Sequence, residues 1–153
     1  RAERDEGPGV NPALLEVSSH GTVELKIPGR AEWVAVARLA VAAVASRLRF
    51  SVDEIEDIKL AIAEACTNSI QSAGGHDAGV IEIVCDALED ELRVTVRDHS
   101  SSLHLEPVKP GGLDYGRTEE LGVFLIRALM DTVEYTSDPR HGTELVMTKR
   151  VTA

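Results

Sequence analysis

Ser51-Val52-Asp53-Glu54-Ile55-Glu56-Asp57-Ile58-Lys59-Leu60-Ala61-Ile62-Ala63-Glu64-Ala65-Cys66-Thr67-Asn68 is the stretch whose reading decides the fold. It opens on Ser51-Val52-Asp53-Glu54, the pattern in which a serine hydroxyl and a glutamate three residues on satisfy each other's free backbone N–H groups at a helix start. Behind that cap Ile55, Ile58, Ile62 and Ala65 recur at helical spacing. The segment therefore predicts a helix with one buried face, closing near Gly74-Gly75. Glu64, Asn68 and Gln71 make a polar stripe beside the apolar one, because residues three and four apart share a helix face. Asparagine is a mediocre helix former, since its amide competes with the backbone for hydrogen bonds, so Asn68 at mid-helix needs a reason. A solvated polar face is one reason. A metal–phosphate site is another: an amide oxygen is a hard ligand suited to Mg²⁺, and a glutamate one turn away can deprotonate an attacking hydroxyl. Spacing alone leaves both open.

Upstream, Glu32 to about Leu48 has helical period, with Trp33, Val36, Ala37, Ala40, Val41, Val44 and Leu48 as its apolar stripe. Val23, Leu25 and Ile27 alternate as in a half-buried strand that Pro28-Gly29 ends. Before it, residues 1–20 are charged or broken by Gly and Pro and predict a loose tail, leaving 21–153 as one domain. Downstream, Val80–Val84 and Leu92–Val96 predict two strands joined by an acidic turn at Glu89-Asp90-Glu91. From His99 to Glu119 the pattern is lost and Pro107, Pro110, Gly111, Gly112 and Gly116 accumulate; a loop of that length in a compact domain is usually functional. Leu121–Met130 predicts a third helix, and Val133–Tyr135 with Leu145–Met147 a final hairpin. The expected fold class is α+β: a two-layer sandwich, helices packed on one face of a mixed, mostly antiparallel sheet.

Composition narrows the functions. The chain has 153 residues, 43% of them hydrophobic but only 3% aromatic, so the core is aliphatic and needs no metal or disulfide staple. A formal charge of −10 argues against direct nucleic-acid binding, which requires clustered Lys and Arg. Cys66 and Cys85 lie in apolar segments without metal-ligand spacing, as buried free thiols do in a reducing compartment. The five histidines form no zinc pattern. No apolar run has membrane-spanning length and no signal peptide is visible, so the expected location is the cytoplasm, with no membrane partner.

The run from Asp53 to Asn68 closely resembles the N-box helix of the RsbW-type anti-sigma factor serine kinases, in the superfamily that also holds gyrase, Hsp90 and histidine kinases. The resemblance continues in Val44-Ala45-Ser46-Arg47, in Leu121-Gly122-Val123-Phe124-Leu125 and in Leu129-Met130-Asp131, and covers nearly everything from Val23 to Lys149. It implies the histidine-kinase-like ATPase fold. It also implies Glu64 as the general base on a protein serine, Asn68 as the ligand of Mg²⁺ bridging the phosphates of ATP, and Asp98 as the acceptor of the adenine amino group. Gly122 would contact ATP at the start of the third helix, and Arg117 would reach the γ-phosphate. Arg38, on the first helix, falls where the family binds its sigma factor and antagonist, and a homodimer is implied as well.

Two departures bear on this. Asp98 is followed by His99-Ser100 where the family has a nearby glycine, and Glu119-Glu120 precede Leu121-Gly122 where relatives tend to have glycine. Like charges ~4 Å from a phosphate cost roughly 1 kcal/mol in water and several times that when partly desolvated. The expectation is therefore an anti-sigma regulator that phosphorylates a serine of its antagonist with Mg-ATP. The alternative is a non-catalytic partner-binding regulator of the same fold with a degenerate nucleotide site.

Overall fold

A computed structural model describes residues 21–73, 79–99, 118–138 and 142–152. The tail 1–20, Gly74-Gly75, most of the His99–Glu119 loop with Ser100 and Arg117, and the hairpin turn 139–141 lie outside the described residues. In chain order the elements are strand β1 (Thr22–Pro28), a 3₁₀ turn (Ala31–Trp33), helix α1 (Val34–Ala45), helix α2 (Val52–Ser72), strands β2 (Val80–Ala87) and β3 (Glu91–Asp98), helix α3 (Thr118–Leu129), and strands β4 (Thr132–Asp138) and β5 (Gly142–Arg150).

The predicted cap of α2 is formed as written in the sequence. The Glu54 N–H donates to Ser51 Oγ at 3.1 Å, and the Ser51 N–H donates to Glu54 Oε1 at 2.8 Å. Behind it Ile58, Ala61, Ile62, Ala65, Cys66, Ser69 and Ile70 are buried. A fully buried Ile is worth about 1.5–3 kcal/mol over an exposed one, so Ile58 and Ile62 anchor this helix to the sheet. α2 is the middle helix of the layer, packed against α1 on one side and α3 on the other.

The five strands form one sheet in the order β1-β2-β3-β5-β4, and every described pairing is antiparallel, so the expected parallel component is not found. Only β2–β3 and β4–β5 are hairpins; β1 reaches β2 through α1 and α2, and α3 and β4 lie between β3 and its neighbour β5. On the helix side Ile81, Ile83, Leu92, Val94 and Met147 are buried together with Ile126 of α3. On the other face an ion-pair row crosses four strands: Lys26 to Glu82 at 3.8 Å, Glu82 to Arg97 at 3.9 Å, and Arg97 to Glu144 at 2.5 Å. Cys66 and Cys85 are buried free cysteines, as expected, and burial pushes both thiols up to about 12, with the Asp86 charge adding to the effect at Cys85.

Two sequence expectations are corrected here. The apolar stripe of the first helix is narrower than its periodicity suggested: Ala37, Val41 and Val44 are buried, but Trp33 and Val36 are each 41% exposed. α1 is apolar nearly all round, so period alone cannot say which side meets the core. The third helix begins at Thr118 rather than Leu121, which puts Glu119 and Glu120 inside its first turn instead of in the loop before it.

The last strand ties the layers together. Lys149 Nζ donates to the Leu129 carbonyl at the end of α3 at 2.6 Å and lies 3.8 Å from Asp57 on α2. The Arg150 N–H donates to Asp131 at 2.6 Å, and the Thr152 hydroxyl to Glu54 at 3.0 Å. These contacts hold α2 and α3 in fixed register at their far ends, which sets how the helices meet near Asn68.

Candidate functional site

Helix α2 places Glu64 and Asn68 one turn apart, both half-buried. Ile62 and Ala65, buried beside them, leave the helix no freedom to rotate. Glu64 makes no ion pair among the described residues. Asn68 faces α3. Gly122, buried in that helix, sits so close that a β-carbon built on it would lie 2.4 Å from Asn68 Oδ1 and 3.0 Å from Nδ2. Gly122 is thus the floor on which the Asn68 amide rests, a role its place in the chain did not reveal.

A narrow cleft opens beside Asn68. It is lined by Ala65, Ser69 and Ser72 of α2, by Val96 and Asp98 of β3, by Tyr135 of β4, and by Thr143 and Leu145 of β5. Strand register brings these together: Asp98 stands opposite Thr143, Val96 opposite Leu145, and Leu145 opposite Tyr135. Asp98 is only 2% exposed. Its backbone is gripped by Gly142, whose φ of +87° favours glycine and whose added β-carbon would meet the Asp98 carbonyl oxygen at 2.0 Å. Thr143 is also buried, and its Oγ1 has no hydrogen-bond partner among the described residues. A buried hydroxyl left unpaired costs about 1–3 kcal/mol, which a polar ligand group entering the cleft would recover.

The structure therefore brings Asn68 and Asp98 to one cleft and puts Glu64 a turn away on the same helix. Arg38 is exposed on α1, the helix on the other side of α2, without an ion pair among the described residues. Arg117 falls outside the described residues. Sequence reasoning missed Gly142 and Thr143. The available signal was the Gly142-Thr143 step directly after a turn, where a strand must start against the end of another.

As to a cofactor, the described residues contain no group of three or more His, Cys, Asp or Glu that would hold a metal ion by themselves. A cation at Asn68 would take one amide oxygen from the protein and its other ligands from phosphate and water, the usual habit of Mg²⁺. A buried carboxylate and an unpaired hydroxyl suit the donor–acceptor edge of a purine. The cleft measures about 20 Å³, room for about one water, so a base can enter only if its walls move apart. No described helix is long and apolar enough to cross a membrane.

Comparison with known proteins gives this geometry its context. Residues 27–149 match the family model of the histidine kinase-like ATPase domain. The serine-protein kinase RsbW of Bacillus mycoides (strain KBAB4) is 40% identical over 137 residues, covering 84% of each chain. The proteins of the same name from Bacillus cereus (strain Q1) and Bacillus thuringiensis subsp. konkukian (strain 97-27) are 41% identical over 137 residues, again 84% of each chain.

Proposed function

The chain belongs to the histidine kinase-like ATPase domain family, and on that premise we propose that it is a serine-protein kinase of the anti-sigma-factor type. It holds a sigma factor by direct contact and phosphorylates a serine of an antagonist protein with Mg-ATP, so that partners are switched by phosphorylation. The observation that carries this reading is the arrangement of Asn68 beside a cleft closed by the buried Asp98, with Glu64 one turn back on the same rigid helix.

Each residue has a task that its surroundings support. Asp98, held by Gly142, accepts a hydrogen bond from the adenine amino group, and Thr143 Oγ1 gains the partner it lacks. Asn68 Oδ1, resting on Gly122, would hold a Mg²⁺ ion. Mg²⁺ bound there would supply charge neutralisation to the phosphates. Glu64 accepts the serine proton as the serine oxygen attacks the γ-phosphorus; the bond to the β-phosphate oxygen breaks and ADP leaves. Such transfer depends mainly on positioning and charge neutralisation, so few protein groups suffice. Gly122 meets the triphosphate through its backbone, Arg117 serves the γ-phosphate, and Arg38 anchors a protein partner. The kinase acts as a homodimer in the cytoplasm, without direct contact to nucleic acid or membrane.

The tightness of the cleft favours a second reading, a regulator that binds its partners without turning over nucleotide. Isothermal titration separates them. Mg-ATP binds the wild type and fails to bind Asn68→Ala; an absence of heat with the wild type would leave only the second reading. Glu64→Ala binds Mg-ATP but does not phosphorylate the antagonist, and retained phosphorylation removes Glu64 from the base role. Arg38→Ala weakens capture of the cognate sigma factor at an unchanged melting temperature.

A further inference from the structure

Asn68 divides the exposed side of helix α2 into two flanks. At about 100° per residue, Ala65, Ser69 and Ser72 lie roughly 40–100° round the helix to one side of it, and Glu64 and Gln71 roughly 40–60° to the other. The first flank lines the cleft that holds Asp98 and Thr143. The second flank carries the Glu64 carboxylate and the Gln71 amide. Of the polar stripe Glu64, Asn68 and Gln71, only Gln71 has no task in the proposed reaction.

Gln71 sits in the last turn of α2 and is half-buried. Its Oε1 is closed off from solvent and has no hydrogen-bond partner among the described residues, a condition it shares there only with Thr143 Oγ1. A buried acceptor left unpaired is costly, and native structures pair the large majority of them. Glutamine is long and flexible enough to carry its amide out to water, yet this oxygen stays inside. Thr143 lies on the cleft side of Asn68, so the two unpaired oxygens mark its two sides.

The spacing suits one kind of donor. Residues three apart on a helix have β-carbons about 5–6 Å apart. Mg²⁺ demands near-octahedral coordination at about 2.0–2.1 Å and usually keeps several waters. A Mg²⁺ ion on Asn68 Oδ1 would therefore turn a coordinated water toward the next turn of α2, where Gln71 stands. A neutral amide oxygen takes that hydrogen bond without setting another negative charge beside a triphosphate, in a chain whose formal charge is already −10.

We infer that Gln71 Oε1 accepts a hydrogen bond from a water of the Mg²⁺ ion held at Asn68, which makes Gln71 a positioning residue for the hydrated cation. The inference rests on the kinase reading and deepens it. Asn68 is the direct ligand, Glu64 the base, and Gln71 fixes the hydration shell on the flank of α2 away from the base-binding cleft.

Calorimetric titration of the full chain with Mg-ATP, and with ATP in excess chelator, tests this. Gln71→Leu removes the acceptor, so the free protein is at least as stable as the wild type by its urea midpoint. It binds Mg-ATP about tenfold more weakly, the scale of one hydrogen bond to a charged centre, and binds metal-free ATP as the wild type does. Gln71→Glu keeps the acceptor and keeps Mg-ATP affinity. A Gln71→Leu variant that loses stability along with affinity makes Gln71 a structural residue and overturns the inference. An equal loss for metal-free ATP overturns it too, and so does a Gln71→Glu variant as weak as Gln71→Leu, because the amide N–H would then donate to a phosphate. A wild type that binds Mg-ATP no better than Gln71→Leu does overturns this inference alone. A wild type that binds no Mg-ATP overturns the kinase reading with it.

Discussion

Gly122 on α3 lies against the Asn68 amide on α2 so closely that a β-carbon added to it would sit 2.4 Å from Oδ1. The contact couples the helix that carries the candidate metal ligand to the helix that begins where the long loop ends. Gly122→Ala is therefore a sharp test. Alanine inside a helix is favoured over glycine by about 1 kcal/mol on propensity alone, so an unopposed substitution would stabilise the protein. The clash instead pushes Asn68 aside. The expected outcome is a melting temperature that does not rise and a loss of Mg-ATP affinity of about tenfold or more, read by calorimetry and titration.

Gly142 does the corresponding work at the other wall. Its φ of +87° and the 2.0 Å approach to the Asp98 carbonyl both oppose any side chain. Gly142→Ala should cost about 1–3 kcal/mol, seen as a lower urea midpoint at unchanged slope, and should weaken ATP binding through the displaced Asp98.

Thr143→Val separates stability from binding. Valine has the shape of threonine without the hydroxyl, and that hydroxyl is buried and unpaired among the described residues. Its removal should leave the free protein as stable as before or about 1 kcal/mol more stable. If nucleotide affinity is equally unchanged, Thr143 has no part in the site; an affinity loss at preserved stability gives it one.

Glu54 makes stability depend on pH. The backbone hydrogen bond from Ser51, aided by the hydroxyls of Thr152 and Ser51 and by Lys149, holds its carboxyl below the ordinary 4.5, against some desolvation. A carboxyl whose folded value is depressed contributes stability that is present above its unfolded value and disappears as pH falls through the folded one. Glu54→Gln should accordingly be less stable than the wild type above pH 4.5, and the two should converge in more acid solution. Parallel stability curves across that range would remove Glu54 from the account.

Much of the molecule was legible before any coordinates. The Ser51–Glu54 cap, the buried run Ile58–Ile62–Ala65 and the period-two alternation in Val80–Val84 are local signals, because hydrogen bonding within a turn and side-chain period depend only on neighbours in the chain. The same locality exposed Glu64 and Asn68, which share a face by spacing alone. It misjudged α1 and the turn before it, where Val36 and Trp33 look as apolar as Val41 yet stay exposed, since an all-round apolar helix carries no local mark of its buried side.

What the amino-acid order determined by itself was the helix that presents Glu64 and Asn68, and the strand that ends at Asp98. What only the tertiary structure decided was who stands against them: Gly122 beneath Asn68, Gly142 behind Asp98, and Thr143 in the cleft without a hydrogen-bond partner among the described residues. Those are contacts between residues tens of positions apart. They follow from the β1-β2-β3-β5-β4 strand order and the packing of α3 on α2, which no window along the chain contains.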